Sequence, residues 1–192
     1  MKKVIVFVLI IGLSLLCGCN GYKEIDRGFI ATAIAFYKSE NRAHIIIETS
    51  ASSMTEQNTK RIILSGEGDD FDSAAQNLYS QLTAPIYFDQ LGTAVFENSL
   101  TADEQGELLE SFLTSENIKW DIYVVTADNV GALFKNDGNN FLGYDIIGLI
   151  NRHEKQTSKR LICRYYELRR NEFNLSSINL TTNPLAIEVR YE

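Results

Sequence analysis

The sequence predicts one α/β domain, with α+β as the alternative, built on a mixed β-sheet that is flanked by helices. The chain has 192 residues, 45% of them apolar and only 2 of them Pro, which suits one hydrophobic core and excludes disordered and fibrous proteins. Two apolar runs on either side of Ser39-Glu40-Asn41 predict a β-hairpin near the start of the domain. Between residues 60 and 126, strand and helix patterns alternate, which indicates that part of the sheet is parallel.

The residues in front of this domain are typical of a secretory signal peptide. Lys2 and Lys3 precede an apolar run, Val4 to Leu16, that would be roughly 20 Å long as a helix, against about 30 Å for the hydrocarbon core of a bilayer. A cleaved signal is therefore favoured over a membrane-spanning helix. The sequence Leu16-Cys17-Gly18-Cys19 resembles the lipobox of bacterial lipoproteins. That resemblance implies cleavage after Gly18 and a diacylglycerol and fatty-acyl (palmitate) anchor on Cys19.

These features divide the chain into three predicted segments. They are a lipoprotein signal peptide at 1–18, a polar tether at 19–27 and the α/β domain at 28–192. A plain secreted protein and an uncleaved anchor are the alternatives. Cleavage would leave Cys163 as the one thiol beside an acylated Cys19, and its apolar neighbours predict a buried structural side chain.

The elements of the domain follow from periodicity and capping signals. Six segments have the composition of strands: Phe29 to Tyr37, Ala43 to Thr49, Lys60 to Ser65, Thr93 to Phe96, Trp120 to Val125 and Leu185 to Tyr191. Five segments have apolar residues at helical spacing: 71–82, 101–113, 129–134, 141–151 and 161–170. Asp69 and Asp70 are placed to cap the first helix and Pro85 to stop it, while Thr101 to Glu104 forms a capping box. Residues 51–59 and 135–139 are predicted to be a loop and a turn.

The motifs that could carry chemistry are incomplete. Gly66-Glu67-Gly68 precedes a helix but lacks the third glycine of a dinucleotide-binding loop and the Gly-Lys-Ser/Thr of a P-loop, so we predict a tight turn there. His44 and His153 have no companion at metal-ligand spacing, and Asn136 to Asn139 lacks the distal Glu of a calcium loop. There is no Gly-x-Ser-x-Gly elbow. We therefore expect no enzyme activity, no catalytic or metal-binding residues and no cofactor.

Charge is distributed unevenly along the chain. A net charge of −7, from 25 Asp and Glu against 18 Lys and Arg, argues against a nucleic-acid partner. Residues 66–121 hold twelve acidic residues and one Lys, whereas residues 152–170 hold seven Lys and Arg and two Glu. The basic segment could face an anionic membrane or complement charged partner subunits. Two solvated helix faces would explain the same pattern without a functional role.

Several short motifs, taken in order, resemble those of the Ger(x)C, or GerC-type, spore germination lipoproteins. They are Glu24-Ile25 after the lipobox, Gly66-Glu67-Gly68, Ala74-Ala75-x-Asn77-Leu78, the aromatic segment Ile86 to Leu91 and the apolar strand Thr93 to Phe96. The resemblance covers the N-terminal domain of that family and implies a sheet flanked by helices. It also implies a non-catalytic subunit of a nutrient germinant receptor, or a short paralogue of one, beside integral membrane receptor subunits at the inner spore membrane.

A second hypothesis is a solute-binding or other envelope lipoprotein that works with a membrane transporter. Both hypotheses place the domain on the extracytoplasmic face of the cytoplasmic membrane, held there by Cys19. An envelope enzyme is disfavoured, because the sequence offers no acid–base or nucleophile constellation.

Overall fold

The computed structural model describes residues 28–51, 60–116, 118–119, 121–135, 140–158, 161, 163–170, 178–182 and 185–189. Within these residues the chain forms a mixed eight-stranded sheet with helices packed on both faces, which confirms the predicted α/β class. The strands are β1 Phe29–Ser39, β2 Arg42–Ala51, β3 Lys60–Gly68, β4 Ile86–Tyr87, β5 Thr93–Glu97, β6 Tyr123–Ala127, β7 Ile178–Thr182 and β8 Leu185–Val189. The helices are α1 Phe71–Ser80, α2 Ala102–Ser115, α3 Val130–Lys135, α4 Leu142–Thr157 and α5 Tyr165–Arg170.

The sheet has a parallel centre and antiparallel edges. Its strand order is β3-β2-β1-β5-β6-β7-β8, and the short β4 pairs with the start of β1. The pairs β1–β5, β5–β6 and β6–β7 are parallel, whereas β1–β2, β2–β3 and β7–β8 are antiparallel. We call the end at which β1, β5 and β6 begin the amino end of the sheet, and the opposite end the carboxyl end.

The first hairpin forms as the sequence predicts. Its two turn residues, Glu40 and Asn41, have φ values of 52° and 62°. Positive φ at both central residues is the geometry of a two-residue turn whose twist matches that of the flanking strands. Asn tolerates this left-handed region well, so Asn41 suits the turn.

Two hydrophobic cores lie on opposite faces of the sheet. On one face, Ile34 and Phe36 of β1 pack with residues of α1, α2 and α5. On the other face, Ala33 and Ala35 pack with residues of α3 and α4. Successive side chains of a strand point to opposite faces, so β1 contributes to both cores and is buried on both sides. The result is three layers, helix on sheet on helix.

The structure corrects the prediction of a tight turn at Gly66-Glu67-Gly68. These residues are the last three of β3 and pair with Ile45, His44 and Ala43 of β2. A side chain at Gly66 would overlap the carbonyl oxygen of Ala74, and one at Gly68 would overlap the hydroxyl of Ser73. The glycines therefore let α1 pack closely against the strand that precedes it.

The predicted helix at 161–170 is also wrong in its first half, because α5 starts only at Tyr165. The carbonyl of Cys163 accepts a hydrogen bond of 2.6 Å from the backbone N–H of Val124, and the N–H of Tyr165 donates to Ile122 at 3.0 Å. These bonds tie the backbone alongside β6. Leu161 and Cys163 are buried there and lie outside the helix.

Other boundaries differ by a few residues. The helix predicted at 141–151 continues to Thr157 in α4, the first helix ends at Ser80, and the strand predicted from Trp120 begins at Tyr123. Two strands were not predicted, β4 and β7. The predicted loop residues 52–59 and turn residues 136–139 lie outside the described residues.

Both predicted helix caps are confirmed. The side chain of Asp70 accepts a 2.8 Å hydrogen bond from the N–H of Ser73 at the start of α1. At the start of α2, the carboxylate of Glu104 accepts from the N–H of Thr101 at 2.8 Å, while the Thr101 hydroxyl accepts from the N–H of Glu104. Each reciprocal pair satisfies backbone donors that the helix itself leaves without partners.

Candidate functional site

The residues that the sequence singled out for chemistry do not come together in one place. His44 lies on β2 and stacks on Tyr37 with ring centroids 4.5 Å apart, whereas His153 lies in the second half of α4. Cys163 is 1% exposed, which confirms its predicted burial. Cys19 and residues 136–139 lie outside the described residues. Among the residues that the structure describes, no group of three or more His, Cys, Asp or Glu could hold a metal ion.

The most polar buried cluster is centred on Glu48, a residue that the sequence analysis missed. Glu48 lies on β2 and is completely buried on the face that α3 and α4 cover. One carboxylate oxygen accepts hydrogen bonds from Arg61 Nε at 2.6 Å and from the backbone N–H of Leu142 at 2.8 Å. The other accepts from the Thr32 hydroxyl at 2.8 Å and from the backbone N–H of Gly143 at 2.9 Å.

This carboxylate caps helix α4 from a distant part of the chain. The residue in front of α4, Phe141, makes no side-chain cap, so Glu48 provides the acceptor that a local Ser or Asp would normally supply. A negative charge at a helix N-terminus is also favoured by the helix dipole. The guanidinium of Arg61 on β3 neutralises the carboxylate and reaches the carbonyl of Phe134 on α3 at 3.3 Å. One buried ion pair therefore connects β2, β3, α3 and α4.

The Glu48 cluster has a recognisable signal in the sequence, although a weak one. Glu48 follows the three isoleucines at 45–47, and a charged residue inside a buried strand requires a partner. The partner is Arg61, thirteen positions away, which pairs in the β2–β3 register with Ser50, two residues after Glu48. The bonds to Leu142 and Gly143 depend on tertiary packing, which no local spacing reveals.

An open polar cleft of about 400 Å³ lies at the amino end of the sheet. It is lined by Ile86, Tyr87, Phe88, Asp89, Glu116, Ile118 and Lys119. Beside it, the hydroxyl of Tyr79 donates a 2.7 Å hydrogen bond to Glu116. Burial and this bond to a carboxylate raise the pKa of the Tyr79 phenol well above its usual value.

The chain enters the domain beside this cleft. The N–H of Phe29 donates to the carbonyl of Pro85 at 2.9 Å, and Gly28 lies so close to the ring of Tyr87 that a side chain there would overlap it. Any segment that precedes the domain therefore arrives at the amino end of the sheet.

The basic segment 152–170 does not form one helical face. Arg152 and Lys155 are exposed on α4, which packs on one face of the sheet, whereas α5 packs on the opposite face. Arg164 donates to Asp121 and, at 2.8 Å, to the hydroxyl of Tyr123, and its guanidinium lies 4.8 Å from the centre of that ring. Arg164 thus joins α5 to β6, while Lys159 and Arg160 lie outside the described residues.

A family model described as spore germination protein N-terminal domain matches residues 21–175 of the chain. The chain belongs to this family. The match confirms the resemblance that the short sequence motifs indicated, and it includes the sheet from β1 to β6 and all five helices. No curated protein and no solved structure matches the chain.

The spore germination domain thus carries the buried Glu48 cluster on one face and the cleft at its amino end. Both lie within the matched residues. None of the helices in the described ranges is long and apolar enough to cross a membrane. The family links the chain to germination and to the receptors that act at the inner spore membrane.

Proposed function

We propose that this chain is a lipid-anchored, non-catalytic subunit of a spore germinant receptor, or a short paralogue of such a subunit. The observation that carries the proposal is the family match over residues 21–175, directly after a lipobox-like sequence that ends at Cys19. In this proposal, acyl chains on Cys19 hold the domain at the extracytoplasmic face of the inner spore membrane. Its partners there are integral membrane subunits of the receptor.

Anchoring through Cys19 is consistent with membrane energetics. A single acyl chain binds a bilayer only marginally, whereas two or more give stable attachment. The diacylglycerol and additional acyl group of a processed lipoprotein meet that requirement. The short tether at 19–27 would then connect the anchor to the amino end of the sheet, where Gly28 packs on Tyr87.

The use of buried charge in this domain supports a non-catalytic role. Glu48 is the buried carboxylate in the described part of the core, and its two oxygens already accept four hydrogen bonds from side chains and backbone. A general base or nucleophile needs a free lone pair near a substrate-sized space. The Glu48 carboxylate instead holds helix α4 on the sheet.

Lipidation is tested by mass spectrometry of the N-terminal peptide of the membrane-extracted protein. We expect a Cys19→Ala chain to lose the acyl mass and to retain its signal peptide. The matched control is Cys17→Ala, which removes a thiol two positions away and should leave processing unchanged. Acylation of Cys17, or a Cys19 thiol without acyl groups in the mature protein, would contradict the anchor.

Receptor membership is tested by co-purification from spore membranes. The tagged, lipidated chain should be recovered with integral membrane germination subunits, and the Cys19→Ala chain should not. Recovery only from vegetative cells, without germination subunits, would exclude the receptor role. Co-purification with a transporter permease instead would favour the solute-binding hypothesis.

A further inference from the structure

The exposed tyrosines of the domain are gathered at one end of the sheet. In the described ranges, the large hydrophobic residues that are more than one-third exposed are Ile63, Tyr79, Tyr144 and Tyr166. Tyr79 lies in the last turn of α1, where its hydroxyl binds Glu116 at the rim of the cleft. It therefore belongs to the amino end, close to the point where the chain enters.

The other two tyrosines reach the same end from different helices. Tyr144 lies in the first turn of α4, is 49% exposed, and donates a 3.2 Å hydrogen bond to Gln90, three residues before β5 begins. Tyr166 lies in the first turn of α5, two residues after Arg164, which forms a β-bridge with the first residue of β6, Tyr123. Three helices thus each place an exposed tyrosine at the amino end.

The carboxyl end of the sheet has the opposite character. The acidic residues in its strand ends, turns and helix starts are Glu40, Glu67, Asp69, Asp70, Asp72, Glu97, Asp103, Glu104 and Asp128. Two cations at this end, Lys38 and Arg42, are already paired with Glu104 and Glu67 at 2.7 Å each. Arg152 and Lys155 lie in the second half of α4, which runs from the amino end towards this end. Carboxylates therefore outnumber cations at the carboxyl end.

The amino end is closer to neutral. Lys60, Lys119 and Lys135 lie there with Asp89, Asp145 and Glu167, and the carboxylates of Glu116 and Asp121 accept hydrogen bonds from Tyr79 and Arg164. The two ends of the sheet thus differ: the amino end carries aromatic side chains and mixed charge, and the carboxyl end carries an excess of carboxylates.

The length of the tether limits how far the amino end can lie from an anchor. The nine residues from Cys19 to Arg27 reach at most about 30 Å when fully extended. They lead to Gly28, which contacts Tyr87 at the amino end of the sheet. If residue 19 is held at the bilayer, the amino end of the sheet therefore lies closer to the bilayer, on average, than the acidic carboxyl end does.

We propose that the amino end of the sheet rests on the lipid surface, with Tyr79, Tyr144 and Tyr166 among the lipid headgroups. Tyrosine suits this position because its ring is apolar and its hydroxyl hydrogen-bonds to the wet interface. An anionic bilayer repels the acidic carboxyl end, which therefore faces away from the membrane. This inference rests on the proposed function only for the membrane attachment, and it adds the orientation of the domain.

The orientation is measured with nitroxide labels on the full-length chain in anionic phospholipid vesicles. One label replaces Lys119 at the amino end and a second, matched label replaces Ser39 at the carboxyl end; both residues are exposed, whereas Cys163 is buried. We expect the Lys119→Cys label to lose accessibility to a water-soluble nickel relaxation agent several-fold relative to Ser39→Cys. Equal accessibility of the two labels, or protection of the Ser39→Cys label, would overturn the proposal.

A second pair of variants tests the tyrosines themselves. Replacing Tyr144 and Tyr166 by Ser should restore most of the accessibility of the Lys119→Cys label. The control is Ile63→Ser, which removes a side chain of similar exposure, 37%, from the middle of edge strand β3 and should leave the label protected. Circular dichroism of each variant confirms that the fold is retained. Protection that survives the double Tyr change would show that these rings do not make the contact.

The test also separates this inference from the proposed function. The mass of the same preparation reports acylation of Cys19. A chain with both Cys17→Ala and Cys19→Ala, which keeps the apolar segment Val4 to Leu16 but has no thiol in the retained signal peptide, is labelled in parallel. Protection of the Lys119→Cys label in both chains supports the orientation even if acylation fails. Protection that requires co-reconstituted germination subunits would assign the tyrosine end to a protein partner and overturn the lipid assignment.

Discussion

Replacing Glu48 by Gln tests whether one buried carboxylate holds helix α4 on the sheet. The change keeps the size of the side chain but converts one acceptor oxygen into an NH₂ donor. In the native protein each Glu48 oxygen faces one backbone N–H of α4, from Leu142 or Gly143. In whichever orientation the new amide lies, one of these N–H groups faces another donor.

The expected cost follows from what the substitution leaves unpaired. Glu48 is fully buried and the side chain of Arg61 is only 10% exposed, so the Gln variant removes the buried carboxylate that pairs with this guanidinium. Removing one partner of a buried, hydrogen-bonded ion pair costs about 3–5 kcal/mol. The total free energy of unfolding of a globular domain is about 5–15 kcal/mol. We therefore expect Glu48→Gln to lower the unfolding free energy by about 3–5 kcal/mol.

The measurement is urea denaturation followed by far-ultraviolet circular dichroism, with the unfolding free energy compared between variants. The control is Glu67→Gln, because Glu67 pairs with Arg42 at 2.7 Å in an exposed ion pair, with side chains 46% and 49% exposed. An exposed pair contributes about 0–1 kcal/mol. If Glu48→Gln costs no more than Glu67→Gln, the buried cluster does not stabilise α4 and the reasoning is refuted. The double change Glu48→Gln with Arg61→Met should cost less than the sum of the two single changes.

Three further predictions concern acidity, packing and thiol access. The pKa of Glu104 is lowered to about 2, mainly by the hydrogen bond that it accepts from Lys38. The ionised carboxylate therefore stabilises the fold fully above pH 4.5, and this contribution is lost as the pH falls towards 2. Glu104→Gln should remove this part of the acid sensitivity of the urea midpoint, an effect below about 1 kcal/mol because the pair is exposed. Gly66→Ala should destabilise the domain by about 1–3 kcal/mol in the same urea assay, because the new methyl group would overlap α1. Gly148→Ala should stabilise the domain by about 0.5–1 kcal/mol, because its methyl group meets open space on helix α4. Cys163 should react with a thiol reagent only in denaturant. If Cys163 of the folded protein reacted as fast as an exposed thiol, its burial would be contradicted.

Local signals in the sequence were sufficient for most of the elements. The turn at Glu40 and Asn41, the cap at Asp70 and the capping box at Thr101 each depend on residues within four positions, and all three are confirmed. The mixed sheet followed from the order of a hairpin and alternating strands and helices, because topology rules allow few arrangements of such a series.

The errors arise where distant residues decide the local structure. Gly66 and Gly68 have a composition typical of turns, but α1 packs on them and so keeps them in β3. Leu161 and Cys163 fit a helical stripe, yet the carbonyl of Cys163 bonds to Val124 of β6 and the helix starts only at Tyr165. Nothing within a window of a few residues distinguishes these outcomes.

The candidate site was less accessible to sequence reasoning than the fold. The resemblance to the germination family rests on short motifs, and the family match extends it to residues 21–175. By contrast, Glu48 and the exposed tyrosines become meaningful only when their neighbours are known. Tyr79, Tyr144 and Tyr166 are far apart in the chain, and three helices of different direction bring them to one end.

The Glu48 cluster and the tyrosine end are parts of one arrangement. Glu48 fixes the N-terminus of α4 through Leu142 and Gly143, and the next residue is Tyr144. Close packing adds to this hold, because a side chain at Gly143 would press on the backbone of Thr32. A helix start is usually free to fray, since its first N–H groups lack partners. Here a buried carboxylate makes that start rigid, and it does so where the tether enters and where an exposed aromatic side chain is presented to the surroundings.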